Sequence, residues 1–264
     1  MQFRVAIHGA GGRMGQRLVA CAAADPEIQL MAAIDSPNCP KLGQDSGVVA
    51  GIGPNGIPLT ADWSGRCDAV IDFSSPEGAK AALKLCLDYR LPLVLATTGL
   101  APEFLEELQT AAHHIPILTA PNMSTSVNLA IYLAQMAARV MKQVGMETDV
   151  EIVERHHRMK HDSPSGTALR FGEVIANELK LTEAVHGREG MVGPRPMNEI
   201  GYHAVRTGDD AGQHLVIFGM LGETLEIRIA ATNRDGYARG AIAAAKFLCS
   251  CGPGMYTMSD VLGF

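Results

Sequence analysis

No uninterrupted apolar run in this 264-residue chain approaches the roughly 18 residues that a membrane-spanning helix needs. The longest candidate, 127–141, carries Asn128, Gln135 and Arg139. No charged leader with an apolar segment stands before the first strand pattern at residue 3, so the expected location is the cytoplasm, with no membrane partner. The six cysteines form no CxxC pair and no metal-ligand spacing, which argues against a paired-thiol redox motif and a cysteine-based zinc site. They read as reduced, mostly buried thiols of a reducing compartment. Basic charge is also short: 22 Lys and Arg against 28 Asp and Glu leave a net charge of −6. With no extended basic stripe, a nucleic-acid partner is not expected. Aromatics make up only 5% of the chain while glycine alone supplies 28 residues, a balance suited to close helix–sheet packing. The length allows a sizeable core and one or two domains. Internal repeats and low-complexity runs are absent.

What is present begins at residue 3. The apolar segment 3–8 runs into Gly9-Ala10-Gly11-Gly12-Arg13-Met14-Gly15 and then into a helical pattern over 16–24. Gly9-x-x-Gly12-x-x-Gly15 between strand and helix is the spacing of a dinucleotide-binding turn. Glycines let the backbone approach a pyrophosphate, and the free N–H groups of the helix start hold its charge. A second strand over 28–34 ends at Asp35, about twenty residues past the last glycine, where an acid binds the adenosine ribose hydroxyls.

Strands and helices then alternate: strand 68–73, helix 76–89, strand 93–97, helix 102–113 and strand 115–120, after an irregular stretch at 36–58. Continuous apolar strands such as Ala69-Val70-Ile71 and Leu93-Val94-Leu95 fit a parallel sheet covered on both faces. Beyond a helix at 127–141 the pattern changes to strands at 150–157, 203–207, 214–220 and 224–231, with a polar loop at 181–199 and a last helix at 237–250. The expected fold is α/β: a Rossmann-like doubly wound parallel sheet plus a second α+β domain with an open mixed sheet. The expected boundaries are 1–124 with 235–264 for the dinucleotide domain and 125–234 for the substrate-binding and oligomerisation domain. Three strand ends of the first domain carry small polar groups suited to a nicotinamide: Asp72-Phe73-Ser74-Ser75, Ala96-Thr97-Thr98-Gly99 and Ala120-Pro121-Asn122-Met123-Ser124.

The second domain holds the densest chemistry. In this acidic chain Arg155, His156, His157, Arg158, Lys160 and His161 crowd together. Such a cluster suits a small anion with more than one negative group and offers protons near neutral pH. Ser163-Pro164-Ser165-Gly166-Thr167 follows as a helix start, with Ser163 or Ser165 as the cap and Pro164 suited to the first turn. Its free N–H groups face an anion. On a strand, Glu154 and His156 share a face. Glu154 then either orients the imidazole or is a surface carboxylate. A zinc site at His156, His157 and His161 lacks a carboxylate or cysteine to complete it, so no metal is expected.

Along essentially the whole chain these residues resemble the bacterial dihydrodipicolinate reductase family, the 4-hydroxy-tetrahydrodipicolinate reductases of the diaminopimelate–lysine pathway. The resemblance rests on Val5-Ala6-Ile7-His8-Gly9 through Gly15, Ile71-Asp72-Phe73-Ser74, Thr97-Thr98-Gly99, Ala120 through Ser124, and above all Glu154-Arg155-His156-His157 through Gly166-Thr167-Ala168. It implies reduction of a small cyclic dicarboxylate, 4-hydroxy-tetrahydrodipicolinate, to tetrahydrodipicolinate by NADH or NADPH in a homotetramer. It implies further that His156 is the proton donor and acceptor and Lys160 a second proton donor. His157, Ser165, Gly166 and Thr167 would bind substrate carboxylate. Gly9, Ala10, Gly11, Gly12, Arg13, Met14, Asp35, Ala96, Thr97, Thr98, Ala120, Pro121, Asn122 and Met123 would bind the cofactor. The chain departs from the family at Ala96, where glycine is usual and a methyl group crowds the nicotinamide. It departs at Ser163, where many members have alanine, and at Met123, where some carry an aromatic and a softer contact replaces stacking.

Cofactor choice is legible at the end of the second strand. Asp35 suits a free 2′-hydroxyl and repels a 2′-phosphate, and Ser36 stands where members that use NADPH well often carry arginine. NADH is the expected preference, with NADPH still used through Lys41 or Arg13. Two other functions fit parts of the chain: another nicotinamide-dependent oxidoreductase such as an amino-acid dehydrogenase, and a non-catalytic dinucleotide-binding redox sensor.

Overall fold

Val5, Ala6 and Ile7 in the first strand are all fully buried, with Val5 and Ile7 in one apolar core and Ala6 in another. That alternation is what a strand covered on both faces requires. The computed structural model describes residues 2–63 and 65–264. It divides into two compact units, Met1–Thr125 with Arg234–Phe264, and Ser126–Asn233.

The first unit begins with β1 (Phe3–His8), α1 (Arg13–Ala24), β2 (Ile28–Ile34), α2 (Ser46–Val49), β3 (Leu59–Thr60), β4 (Ala69–Asp72), α3 (Pro76–Tyr89), β5 (Leu93–Leu95), α4 (Pro102–Ala111) and β6 (Pro116–Thr119). The second unit follows with α5 (Thr125–Gln143), β7 (Asp149–His156), α6 (Gly166–Leu179), β8 (Glu183–His186), β9 (Glu199–Arg206), β10 (Gln213–Met220) and β11 (Glu223–Ala230). The chain then returns to the first unit with α7 (Asp235–Leu248), β12 (Gly254–Tyr256) and α8 (Met258–Leu262).

The first sheet is parallel throughout, in the order β12-β6-β5-β4-β1-β2-β3. The chain winds outward in both directions from β1, so the switch point lies between β1 and β4. One face carries Leu18 and Val19 of α1 with Ala241, Ala245 and Leu248 of α7. The other carries Leu83 of α3 with Phe104 and Leu108 of α4. Ser75 caps α3 by accepting the Gly78 N–H at 3.2 Å, with Pro76 in the first turn.

The second sheet is mixed, β11-β10-β7-β9-β8, antiparallel across β11-β10-β7 and parallel across β7-β9-β8. Its core joins Val150, Ile152, Val216 and Phe218 of the strands to Ala130, Ala134 and Ala138 of α5 and Phe171 and Ile175 of α6. Alanines at every fourth position let α5 lie close to its neighbours. The same alternation along β7 buries Glu154 and His156 on this helix-covered side. The strand register thus draws two titratable groups to the edge of a core.

Several details differ from the sequence reading. The stretch 36–58 holds the short helix α2, whose cap Asp45 accepts from the backbone N–H groups of Gly47, Val48, Asn55 and Gly56. The loop at 181–199 contains strand β8, an exposed polar edge with no periodic apolar signal. The two- and three-residue strands β3 and β12 are too short to show a pattern. Pro164 precedes the cap Ser165 rather than sitting inside the first turn of α6. Of the six free cysteines only Cys21, Cys67 and Cys86 are buried, and burial pushes the Cys67 thiol up to about 12. No described helix is long and apolar enough to cross a membrane.

Candidate active site

In the first unit, Gly9 and Ala10 both donate their N–H to Ile34 O at 2.9 Å, which folds the glycine turn back over the end of β2. Gly9 takes a positive φ of +79°, and a side chain there would overlap Phe73 O. Gly15 has no room for a Cβ beside Gly9 O and Ala10. A Cβ on Gly12 would lie a tight 3.2 Å from Gly9 O, while Gly12 and Arg13 are exposed at the start of α1. The turn leads into the start of α1, whose first N–H groups from Arg13 onward have no intrahelical acceptor, and that helix start fits a dinucleotide pyrophosphate. Asp35 sits at its rim. One carboxylate oxygen accepts the Gly11 N–H at 2.7 Å and the other the Ser36 N–H at 2.8 Å. Lys41 donates to Gly11 O at 2.7 Å, so an acid and a cation share this corner.

The remaining cofactor candidates fall just past neighbouring strands of the same sheet: Ala96, Thr97 and Thr98 after β5, and Ala120 to Met123 after β6. Thr98 and Pro121 are exposed and Met14, Thr97, Ala120 and Asn122 half-buried. Met123 is 1% exposed, and its side chain packs in the core of the first unit.

In the second unit the candidates lie between the end of β7 and the start of α6. Glu154 is 1% exposed and accepts four hydrogen bonds. Its Oε2 accepts from His156 Nδ1 at 2.5 Å and Arg206 Nη1 at 2.8 Å. Its Oε1 accepts from Ser165 N–H at 3.0 Å and Arg206 Nη2 at 2.7 Å. Burial alone would raise this carboxyl, but the bonds from Arg206, His156 and Ser165 outweigh it and hold the group below its ordinary value. Glu154 is therefore the orienting partner of His156 and not a surface carboxylate. With Nδ1 committed to Glu154, Nε2 is the nitrogen left to exchange a proton. It faces Gly212, where a Cβ would lie only 2.8 Å away.

His214 lies edge-on to His156, with ring centroids 5.2 Å apart. Burial, and then the charge of His156, pushes His214 down to about 4, so it is neutral near pH 7. Its Nε2 pairs with the Ser165 hydroxyl at 3.0 Å, which in turn caps α6 by accepting the Ala168 N–H. Ser165 is thus buried and structural, while Gly166 is exposed and Thr167 half-buried at the same helix start.

Lys160 pairs with Asp162 Oδ1 at 2.8 Å. The Asp162 carboxyl is held low by that pair, and the Gly166 N–H also bonds it. Arg155 leaves the cationic cluster to pair with Asp210 at 2.6 Å, so the local charge is less concentrated than the sequence suggests. His157 is half-buried, with a buried Nδ1 that has no partner. Among the described residues no group of three or more His, Cys, Asp or Glu is placed to hold a metal ion. Sequence reasoning missed Arg206, His214, Gly212 and Asp162. The first three come from β9, β10 and the loop between them, about fifty residues downstream, and no local spacing marks them.

Two family models match: dihydrodipicolinate reductase, N-terminus, over residues 3–123, and dihydrodipicolinate reductase, C-terminus, over 126–262. The chain is 52% identical to the 4-hydroxy-tetrahydrodipicolinate reductase of Rhodopirellula baltica, covering 97% of this chain and 95% of that one. It is 45% identical to that of Methylococcus capsulatus, covering 100% and 99%. The fold is similar to a dipicolinate-bound dihydrodipicolinate reductase from Paenisporosarcina sp. TG-14, with a TM-score of 0.77 at 24% identity over 97% of this chain and 98% of that one.

Proposed function

The chain belongs to the dihydrodipicolinate reductase family, and from that premise we propose that it reduces 4-hydroxy-tetrahydrodipicolinate to tetrahydrodipicolinate with a reduced nicotinamide dinucleotide, in diaminopimelate and lysine biosynthesis. The observation that carries this reading is the buried Glu154–His156 pair, whose Nε2 faces Gly212, with Lys160 on the segment that runs from β7 to α6. A bound reduced dinucleotide supplies the hydride.

Loss of the 4-hydroxyl as water leaves a conjugated C=N/C=C system; hydride addition to that system leaves negative charge, which His156 quenches by giving up the Nε2 proton. Glu154 accepts the Nδ1 hydrogen bond and so leaves Nε2 as the nitrogen that carries the transferred proton. Gly166 and Thr167 at the start of α6, with His157, bind one substrate carboxylate. Lys160 binds or protonates beside it. An incoming carboxylate exchanges with Asp162 for the Lys160 ammonium and the Gly166 N–H, so the site exchanges one anion for another and never leaves its cations bare. A coupled assay with a synthase that makes the substrate, following loss of reduced nicotinamide absorbance, should show turnover. Its absence would overturn the proposal.

NADH is the preferred cofactor in this reading. Asp35 is fixed by two backbone N–H groups where it repels a 2′-phosphate, and Ser36 supplies no cation. Lys41 at the same corner moderates the repulsion. The discrimination should be about 1–2 kcal/mol, or roughly tenfold in KM. Ser36→Arg should shift it toward NADPH. Steady-state KM values for both cofactors at one salt concentration decide the point, and a wild-type preference for NADPH would refute it.

The proposal includes a homotetramer built on the second sheet. Helices α5 and α6 pack on one face of that sheet. The other face presents Val153, Val205, Leu215 and Ile217 around the Glu151 ion pairs with Arg188 and Arg195. An apolar strip of this kind suits burial against further copies. Light scattering should give four times the 28.0 kDa chain mass, and a monomer at micromolar concentration would contradict it.

A further inference from the structure

At the end of β4, Asp72 is 0% exposed, and the chemistry assigned above does not use it. Its carboxylate accepts three hydrogen bonds. His8 Nδ1 lies at 2.7 Å, the Ser74 hydroxyl at 2.6 Å and the Thr97 hydroxyl at 2.5 Å. The Thr97 oxygen in turn accepts the Ser74 N–H at 3.0 Å. The two hydroxyls expected to face a nicotinamide are therefore committed to a buried carboxylate. His8 ends β1, Asp72 ends β4, and Thr97 follows β5, so the cluster ties together the carboxyl ends of three adjacent strands at the switch point. His8 and Asp72 are direct register partners.

A buried carboxylate is tolerated when it is paired and fully hydrogen-bonded. Of the three donors only His8 can carry a positive charge. His8 is itself 8% exposed. It is wedged against the first turn of α3, where a Cβ on Gly78 would overlap Ser74 Oγ and lie 3.2 Å from His8 Cε1. On the other side the glycine turn presses on the same corner, since a Cβ on Gly9 would overlap Phe73 O. The packing leaves His8 little freedom and makes its position decide that of Asp72.

We propose that His8 is a positioning residue for the cofactor, acting through Asp72 to fix Ser74 and Thr97 where the nicotinamide end of the dinucleotide rests. This rests on the reading that the first unit holds the cofactor. Without the imidazole, Asp72 keeps two hydroxyl donors and loses the third. The loops after β4 and β5 then lose their tie to β1 and shift. The cost falls on cofactor binding and leaves the dicarboxylate groups of the second unit intact.

The test is titration of the full-length protein with reduced nicotinamide dinucleotide, followed by nicotinamide fluorescence, together with kcat and both KM values. His8→Ala should raise the cofactor Kd and KM about tenfold, the size expected for one lost hydrogen bond to a buried charge, with the dicarboxylate KM unchanged. His8→Asn places an amide nitrogen where Nδ1 stands and should restore most of the affinity. Thr97→Val, which removes the other limb, should show the same cofactor-specific loss and serves if His8→Ala folds poorly. Wild-type protein that binds the dinucleotide while His8→Ala and Thr97→Val bind it equally well, whatever their melting temperatures, would overturn the positioning role alone. Wild-type protein that binds no dinucleotide would overturn the cofactor reading as well.

Discussion

Replacing His156 with alanine should lower kcat by about two to four orders of magnitude, the range for a lost proton transfer. Cofactor affinity should stay near wild type, because the dinucleotide cradle belongs to the other unit. Lys160→Ala should behave alike. The geometry sharpens the expectation for His156. Its Nδ1 is taken by Glu154, and only Nε2 has an open side, kept open by Gly212. Gly212→Ala should therefore lower kcat by about tenfold or more, since a misplaced reacting group costs rate even without loss of the acid. Gly212 sits at φ +129°, so the melting temperature of this variant separates strain from blockage. Near-wild-type kcat in both His156→Ala and Lys160→Ala would mean that the proton comes from elsewhere.

Removing the Glu154 carboxylate should be the most damaging single change to stability. Its four hydrogen bonds join β7 to Arg206 at the end of β9 and to the cap of α6. Glu154→Ala leaves the Arg206 guanidinium, whose Nε is already buried without a partner, facing a cavity. Breaking one side of a buried ion pair typically costs about 3–5 kcal/mol, and the urea midpoint near neutral pH should fall accordingly.

The same carboxylate links stability to pH. Its folded-state value lies below the ordinary 4.5, so its contribution is complete above that value and is lost as pH falls through the folded one. Glu151 follows the same course over a window from 4.5 down to about 2. Burial opposes its ionisation, but bonds from Arg188, His203 and Arg195 prevail. His214 adds to the trend from higher pH. The unfolded chain takes up its proton near 6.5 and the folded chain only near 4, so stability falls across that interval. The gap between wild type and Glu154→Ala, measured by urea denaturation, should shrink as pH falls from about 7 to about 3. A gap that stays constant would show that the pair is not charged.

Five strands of the first sheet were legible as largely apolar runs, and the bounds agree closely at β1, β2 and α3, whereas β3 and β12 were too short to carry a pattern. Glu154 and His156 were legible as neighbours because strand alternation puts them on one face. Whether Glu154 was buried was not, since that depends on α5, α6 and Arg206. Ser165 read as a binding residue because a cap and an anion site share one sequence pattern. Only the His214 contact shows which use its hydroxyl serves. Met123 read as a cofactor contact from its place after β6, and no local spacing shows that its side chain also packs in the core. His8 and Asp72 sat inside strand patterns, where a polar residue carries no local mark of its partner sixty-four positions away.

The second unit is one continuous stretch, 126–233, set inside the first. The ribosome therefore delivers all of it before α7 and β12 exist. Helix α7 supplies Ala238, Ala241, Ala244, Ala245 and Leu248 to the core that holds Val5, Ile7 and Leu118. Until those residues emerge, one side of the first sheet is covered by α1 without α7. At about 5–20 residues per second, the wait is on the order of ten seconds. The inserted unit is thus the first able to close its core, and the half that carries the glycine turn spends its early life on the nascent chain with an apolar face in need of shelter.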